Sequence, residues 1–215
     1  MGAENGELES ARVARVLRDD IMLGRRLPGS RLVERDIAAE LNVSRLPVRE
    51  AIRALVGEGV VTPRPRSWAV VRSFTRKDIE DLAEVRATVE TLLFVYAAQR
   101  HDAEGLQTLR ELLEREERAA IAGEVDEAMA LAGRFHEYMT VLAGNEMFME
   151  LGAVFVTRLR WLFGRHEDLM AEAVEHRALY EAIRARDVEL VRELVTRHLE
   201  LGALTALERF GVARA

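Results

Sequence analysis

Three of the five histidines in this 215-residue chain fall on apolar helical stripes, where a polar ring needs a reason to be. His176 shares a face with Leu169, Ala173, Leu179, Tyr180 and Ile183, and His198 shares one with Val191, Leu194, Val195, Leu201 and Thr205. His136 lies beside Ala132, Met139 and Thr140 near the stripe of its own helix, and Arg86 borders the inner face of Leu82, Val85, Val89 and Leu93. Imidazole is a common neutral metal ligand, so three of them arriving from different helices would hold a divalent ion such as zinc and leave coordination positions open. A guanidinium nearby would fork onto a carboxylate whose oxygen the ion takes. The alternative for each ring is a hydrogen-bonded core histidine. His101 and His166 sit among charged residues at helix ends and read as solvated surface, while Trp161 and Phe163 read as core.

A second set of residues suited to recognition is cationic. Arg45, Arg49 and Arg53 recur every four residues on one face of a helix that starts after Ser44, a good N-cap. Pro47 is tolerated there because first-turn amides have no intrahelical acceptor. Val48, Ala51, Ile52 and Leu55 form the opposite, seating face. Arginines near the start of such a helix match the O6 and N7 acceptors of guanine in the major groove, which makes Arg45 and Arg49 base-reading candidates. Arg53, further along, suits a phosphate or a neighbouring carboxylate. Helical spacing alone would equally describe a solvated arginine face.

Both sets must be positioned by the elements around them. Helices are expected over 8–23 and 33–41, the second with Ile37, Ala38 and Leu41 inward and Arg35 outward, followed by a tight turn in which Asn42 suits a left-handed conformation. Gly59 ends the arginine-bearing helix, and 60–62 pairs with 69–72 across a basic turn, Arg64-Pro65-Arg66-Ser67-Trp68. Helix, turn, helix and two Val-rich strands make a winged helix-turn-helix over 8–72. After a short linker at 73–75, six helices are expected at about 76–101, 104–122, 125–143, 146–164, 167–185 and 187–210. The predicted fold is therefore mostly α: an N-terminal winged helix-turn-helix with a small β-wing, then an all-α six-helix bundle over 76–210 able to enclose a ligand cavity.

Composition divides the chain at the same place. All four prolines lie at or before Pro65. Residues 1–75 carry 13 basic against 10 acidic side chains, and the remainder carries 18 against 27, so a basic front end precedes an acidic bundle. Such a protein meets DNA through its first part. The absence of cysteine excludes disulfides, thiolate catalysis and cysteine zinc sites, and fits a reducing compartment. With a polar acidic start and no apolar run of about 18 residues, the sequence leads to the expectation of a soluble, cytoplasmic protein with no membrane partner.

The front segment resembles the DNA-binding domain of GntR-family transcriptional regulators. The likeness rests on Pro28-Gly29-Ser30-Arg31-Leu32, Glu34-Arg35-Asp36-Ile37-Ala38, Val43 to Ile52, Leu55 and Glu58-Gly59-Val60-Val61. It implies that Arg35, Ser44, Arg45 and Arg49 meet operator DNA and that the wing, here through Arg66, enters the minor groove. Leu46 stands where the family usually has a threonine that holds DNA, and the wing tip is not glycine-rich. Residues 76–210 are similar to the ligand-sensing FCD domain of the FadR subfamily, in its six-helix VanR-like branch. Here the landmarks are Glu84-Val85-Arg86, Phe135-His136, Ala143-Gly144-Asn145, Glu175-His176-Arg177 and Arg197-His198. This second resemblance implies a divalent metal on His136, His176 and His198, with a small organic acid bound at it and at Arg86. The family often adds an aspartate one turn before the first histidine, and this chain has Ala132 there. The site would then be weaker or differently arranged, or the histidines and Arg86 would bind an anion directly.

The expectation is a ligand-responsive regulator, a repressor acting as a homodimer on double-stranded operator DNA, and not an enzyme. A competing one is a metal-dependent hydrolase or lyase fused to a DNA-binding module. It is disfavoured by the lack of a HExxH motif and of an acidic residue on the stripes near His176 or His198. A third is a DNA-binding protein whose bundle merely dimerises.

Overall fold

The computed structural model describes residues 8–64, 68–164 and 168–210, which form two compact units meeting in sequence between Phe74 and Thr75. In the first unit, α1 (Glu9–Met22) packs on α3 (Arg45–Gly57), with the short α2 (Glu34–Glu40) against α3 as well. Every fourth residue of α1 from Val13, namely Val13, Leu17 and Ile21, is buried, as are Val48 and Leu55 of the α3 on which it packs. Asn42 takes the left-handed conformation, φ 52°, that lets the chain turn sharply between α2 and α3.

The wing is a three-stranded antiparallel sheet in the order β1 (Arg31–Val33), β3 (Trp68–Val71), β2 (Val61–Arg64). β1 was not anticipated: its Arg31 pairs with Val70 and its Leu32 with Ala69, so β3 becomes the central strand. Three residues ahead of a helix carry too little alternation to read as a strand, and only a partner makes them one. Pro63 is tolerated because β2 lies at an edge.

The second unit consists, among the described residues, of α4 (Arg76–Arg100), α5 (Ala103–Ala122), α6 (Val125–Ala143), α7 (Glu146–Phe163), α8 (Leu169–Arg184) and α9 (Val188–Arg209). A capping box starts α4, with the Thr75 amide donating to Asp78 Oδ2 at 2.9 Å and the Asp78 amide to Thr75 Oγ1 at 3.2 Å. Left-handed glycines at 123 and 144 stop α5 and α6. Phe94, Leu109, Leu113, Phe135, Met139, Leu179, Ile183 and Val195 are wholly buried in one core shared by α4, α5, α6, α8 and α9.

Two expectations about this bundle need correction. His101 is 8 % exposed rather than solvated, because the α4–α5 corner closes against the end of α8 and its Nε2 lies 3.1 Å from the Ile183 carbonyl oxygen. Leu201, placed on the inner stripe of α9, is 52 % exposed, and Gly202 faces the interior instead. The buried line of α9 runs through Val195, His198, Leu199, Gly202 and Ala206, which turns Leu201 outward, and Arg86 Nη1 packs against Gly202, 3.3 Å from where a Cβ would stand. Among the described residues no helix is long and apolar enough to cross a membrane.

Candidate three-histidine centre and DNA-reading face

His136 on α6, His176 on α8 and His198 on α9 are brought together, with ligand atoms that all lie within 4.8 Å of one another. His176 is fully buried and His198 is 3 % exposed. Phe135 stacks on the His176 ring at 4.3 Å between centroids, which fixes the plane of that imidazole.

Each ring is turned by a carboxylate on its Nδ1. His136 Nδ1 lies 2.8 Å from Glu90 Oε2, His176 Nδ1 lies 2.8 Å from Glu116 Oε1, and His198 Nδ1 lies 2.7 Å from Glu175 Oε2. An ionised carboxylate only accepts, so beside Glu90, which stays ionised, the His136 Nδ1 carries the proton and its Nε2 lone pair is left for the centre. Glu90 is in turn held by Arg86, whose Nε donates to Oε1 at 2.8 Å. Burial alone would raise the Glu90 pKa, but the Arg86 and His136 contacts overrule it and hold the carboxyl well below the ordinary range. His136 is pushed down to about 3, first by burial, against the pull of Glu90, so its ring is neutral at pH 7.

The facing nitrogens bear on what the centre can take. His136 Nε2 and His198 Nε2 are 3.1 Å apart. With one proton per ring, held at Nδ1, two lone pairs would point at each other, an arrangement that a proton or a cation between them stabilises. Two nitrogens bound to one zinc at about 2.0–2.1 Å stand roughly 3 to 3.4 Å apart. The donor set therefore fits a divalent ion of the zinc type. Ala132, 4 % exposed, lies on the same wall one turn before His136 and offers it no carboxylate.

Beside the histidines lies a cavity of about 290 Å3, lined by Arg86, Glu90, His136 and Glu172 at the centre and by side chains of α4, α6 and α7 around it. Arg86 is 7 % exposed and lies over the Phe163 ring at 4.9 Å. Burial pushes Glu172 up to about 8, with Glu116 adding to it, and burial does the same for Glu116.

The inner carboxylates are what the sequence missed. Glu116, 1 % exposed, belongs to an alternating-charge run over 111–118, and with Glu172 and Glu175 it overturns the expectation that no acidic residue lies near His176 or His198. Glu90 was within reach of sequence reasoning, since it sits four residues after Arg86 on the same stripe. Arg160, which lines the cavity, carried no signal.

In the first unit α3 buries Pro47, Val48, Ala51, Ile52 and Leu55 and leaves Arg45, Arg49 and Arg53 exposed. Ser44 occupies the N-cap position, yet its hydroxyl makes no cap bond to the helix. Arg49 is engaged: its Nε and Nη2 fork onto Glu34 Oε1 and Oε2 at 3.0 and 2.9 Å. That bond, with the nearby charges of Arg45 and Arg53, lowers the Glu34 pKa. Arg35 Nε bonds Asp36 Oδ1 at 2.9 Å and remains largely exposed. Arg66 lies outside the described residues, as does His166.

Residues 9–71 match the gntR family of bacterial regulatory proteins, and residues 81–201 match the FCD domain. The chain belongs to the GntR family and carries an FCD domain. It is a DNA-binding transcriptional regulator. Among relatives of this GntR-family chain, the HTH-type transcriptional regulator YdhC of Bacillus subtilis (strain 168) is 29 % identical over 179 residues, covering 80 % of this chain and 79 % of that one. The gluconate operon transcriptional repressor of Bacillus licheniformis is 30 % identical over 190 residues, covering 84 % and 77 %. The E. coli McbR/YncC structure superimposes with a TM-score of 0.80 at 19 % identity, over 95 % of this chain and 100 % of that chain, a likeness of fold.

Proposed function

We propose that this GntR-family protein is a cytoplasmic, homodimeric repressor that binds a two-fold operator and responds to a small organic acid bound at a divalent-metal centre. The observation that carries the sensing half is the convergence of His136, His176 and His198, each with a carboxylate on Nδ1, with His136 at the wall of a cavity. The ion, when bound, would supply a Lewis-acidic position for one oxygen of the acid. The histidines would hold the ion, and Glu90, Glu116 and Glu175 fix the direction of the rings. Arg86, anchored by Glu90 and Phe163, sets the charge of the cavity wall. The organic-acid class is supported by the two arginines, Arg86 and Arg160, on the lining and by the name of the gluconate operon repressor among the relatives.

In the DNA-binding unit, Arg45 and Arg49 read guanine edges, Ser44 and Arg35 hold phosphates, and Arg66 serves the wing. Two copies are needed because one short helix makes too few base contacts for selective binding. The protein does no chemistry on its effector: the three carboxylates nearest the rings are each committed to an Nδ1, which leaves them as holders of imidazole rather than as general bases.

Metal analysis of the purified protein, then thermal shifts with small carboxylic acids in the presence and absence of chelator, tests the sensing site. A shift abolished by chelator supports the metal centre. One indifferent to chelator and lost in Arg86→Ala supports direct anion binding instead. Turnover of the bound acid would establish the enzymatic alternative.

A further inference from the structure

The walls of the cavity carry more information than its metal end, and they constrain the body of the effector. The cavity's polar groups, Glu137, Thr140, Arg160 and Glu172 besides Arg86, Glu90 and His136, leave a stretch of wall on α4 and α7 made of Leu82, Val89, Leu93, Val156, Leu159 and Phe163. A hydroxyl set against such a wall loses its water and gains no partner. Methylene groups or an aromatic ring there exchange water for close apolar contact. The volume sets a size: an apolar cavity of about 150 Å3 takes a benzene, so the 290 Å3 here corresponds to roughly ten to twelve non-hydrogen atoms.

The charged end distinguishes two arginines. Arg86 already bonds Glu90 at 2.8 Å and covers Phe163, so much of its charge is taken up inside the protein. Arg160, on α7, reaches only a 3.6 Å ion pair with Glu137, and its side chain is 47 % exposed. It lies flat along α6 because position 133 is glycine: a Cβ there would stand 3.3 Å from Arg160 Nε. Gly133 is one turn from His136, and Ala132 beside it brings no negative charge, so this guanidinium lies on the α6 wall that carries His136, with the loosely paired Glu137 as its ionic partner.

Resting on the reading of the bundle as an acid sensor, we infer that the effector is a monocarboxylic acid of about ten non-hydrogen atoms in all, its carboxylate clamped by Arg160 at the His136 end and its apolar body along α4 and α7. Polyhydroxylated and multiply charged acids are selected against by the same wall. Arg160 acts by direct contact with the carboxylate. Its exposure makes the substitution Arg160→Gln compatible with the fold.

The test uses the full chain, loaded with zinc and separately treated with chelator, and calorimetric titration with octanoate, benzoate, gluconate, citrate and the uncharged 1-octanol. Octanoate or benzoate should bind at least tenfold more tightly than gluconate and citrate. Arg160→Gln should weaken the favoured acid at least tenfold while leaving 1-octanol unchanged. Equal or tighter binding of gluconate or citrate overturns the inference and leaves the acid-sensing reading standing. Undiminished acid binding in Arg160→Gln overturns the clamp. If none of the acids binds in either metal state, the sensor reading fails and the inference fails with it.

Discussion

On the proposed reading of Arg49 as a base reader, the fork with Glu34 prepares the contact. A guanidinium on a mobile stem loses rotamer freedom when it meets a guanine, and a carboxylate that already holds it in the right plane reduces that loss. Glu34→Gln should therefore lower the ratio of operator to random-duplex affinity while raising affinity for random duplex, since a negative charge near the phosphates is removed. Fluorescence anisotropy on both duplexes reads both quantities. Arg45→Ala and Arg49→Ala should each cost about 10- to 100-fold in operator affinity, and unchanged selectivity would refute their assignment as base readers. Glu172 offers a residue-level test of the cavity's electrostatics. Its pKa is raised to about 8 by burial first and then by Glu116, so the folded protein binds that proton more tightly than the unfolded chain does. The resulting stabilisation is complete below the unfolded value of about 4.3 and is lost as pH rises through about 8. In chelator-treated protein the urea midpoint should fall over that window, with a contribution approaching about 1.4 kcal/mol per pH unit, and Glu172→Gln should flatten the slope.

At the scale of elements, Phe135 links packing to the centre. It is buried in the core that joins α4, α5, α6, α8 and α9, and its face is stacked on His176. Phe135→Ala should cost about 3–5 kcal/mol of stability from denaturant unfolding. It should also weaken zinc binding, because the ring that stops His176 from rotating is gone. Phe135→Leu separates the effects, keeping most of the burial while losing the flat stacking surface. The helices themselves were legible because their signals are local. Glycines at 123 and 144, an acidic cap before α9 and a proline-free tract set their limits, and the expected bounds of α5 and α6 agree with the structure within a residue. Strand β1 was not legible, since three residues gain their conformation from β3, more than thirty positions away.

On the scale of the whole molecule, the basic front unit and the acidic bundle separate two kinds of recognition. DNA affinity should fall with salt by a slope of about 0.9 in log–log terms per phosphate neutralised, and substituting Arg35 should reduce that slope by about one. Zinc at a hundredfold excess over its dissociation constant should raise the melting temperature by about 5–10 °C, and His198→Gln should abolish the rise. A melting temperature indifferent to zinc and to chelator would remove the metal from the account.

Local pattern by itself determined the order and limits of most elements, the exposed arginine face of α3 and the inward direction of His176 and His198. These depend on periodicity and on breakers, which operate over a few residues. Tertiary structure alone decided which carboxylates go inside. Glu116 sits in a run of charges indistinguishable from its solvated neighbours, and it is buried because α5 packs on α8 and delivers His176 to it from 60 residues away. Arg160 faces the cavity for a similar reason, the missing Cβ of Gly133 on another helix. A polar side chain can be buried only where a partner offsets its lost water, and that partner comes from a segment no local pattern can name.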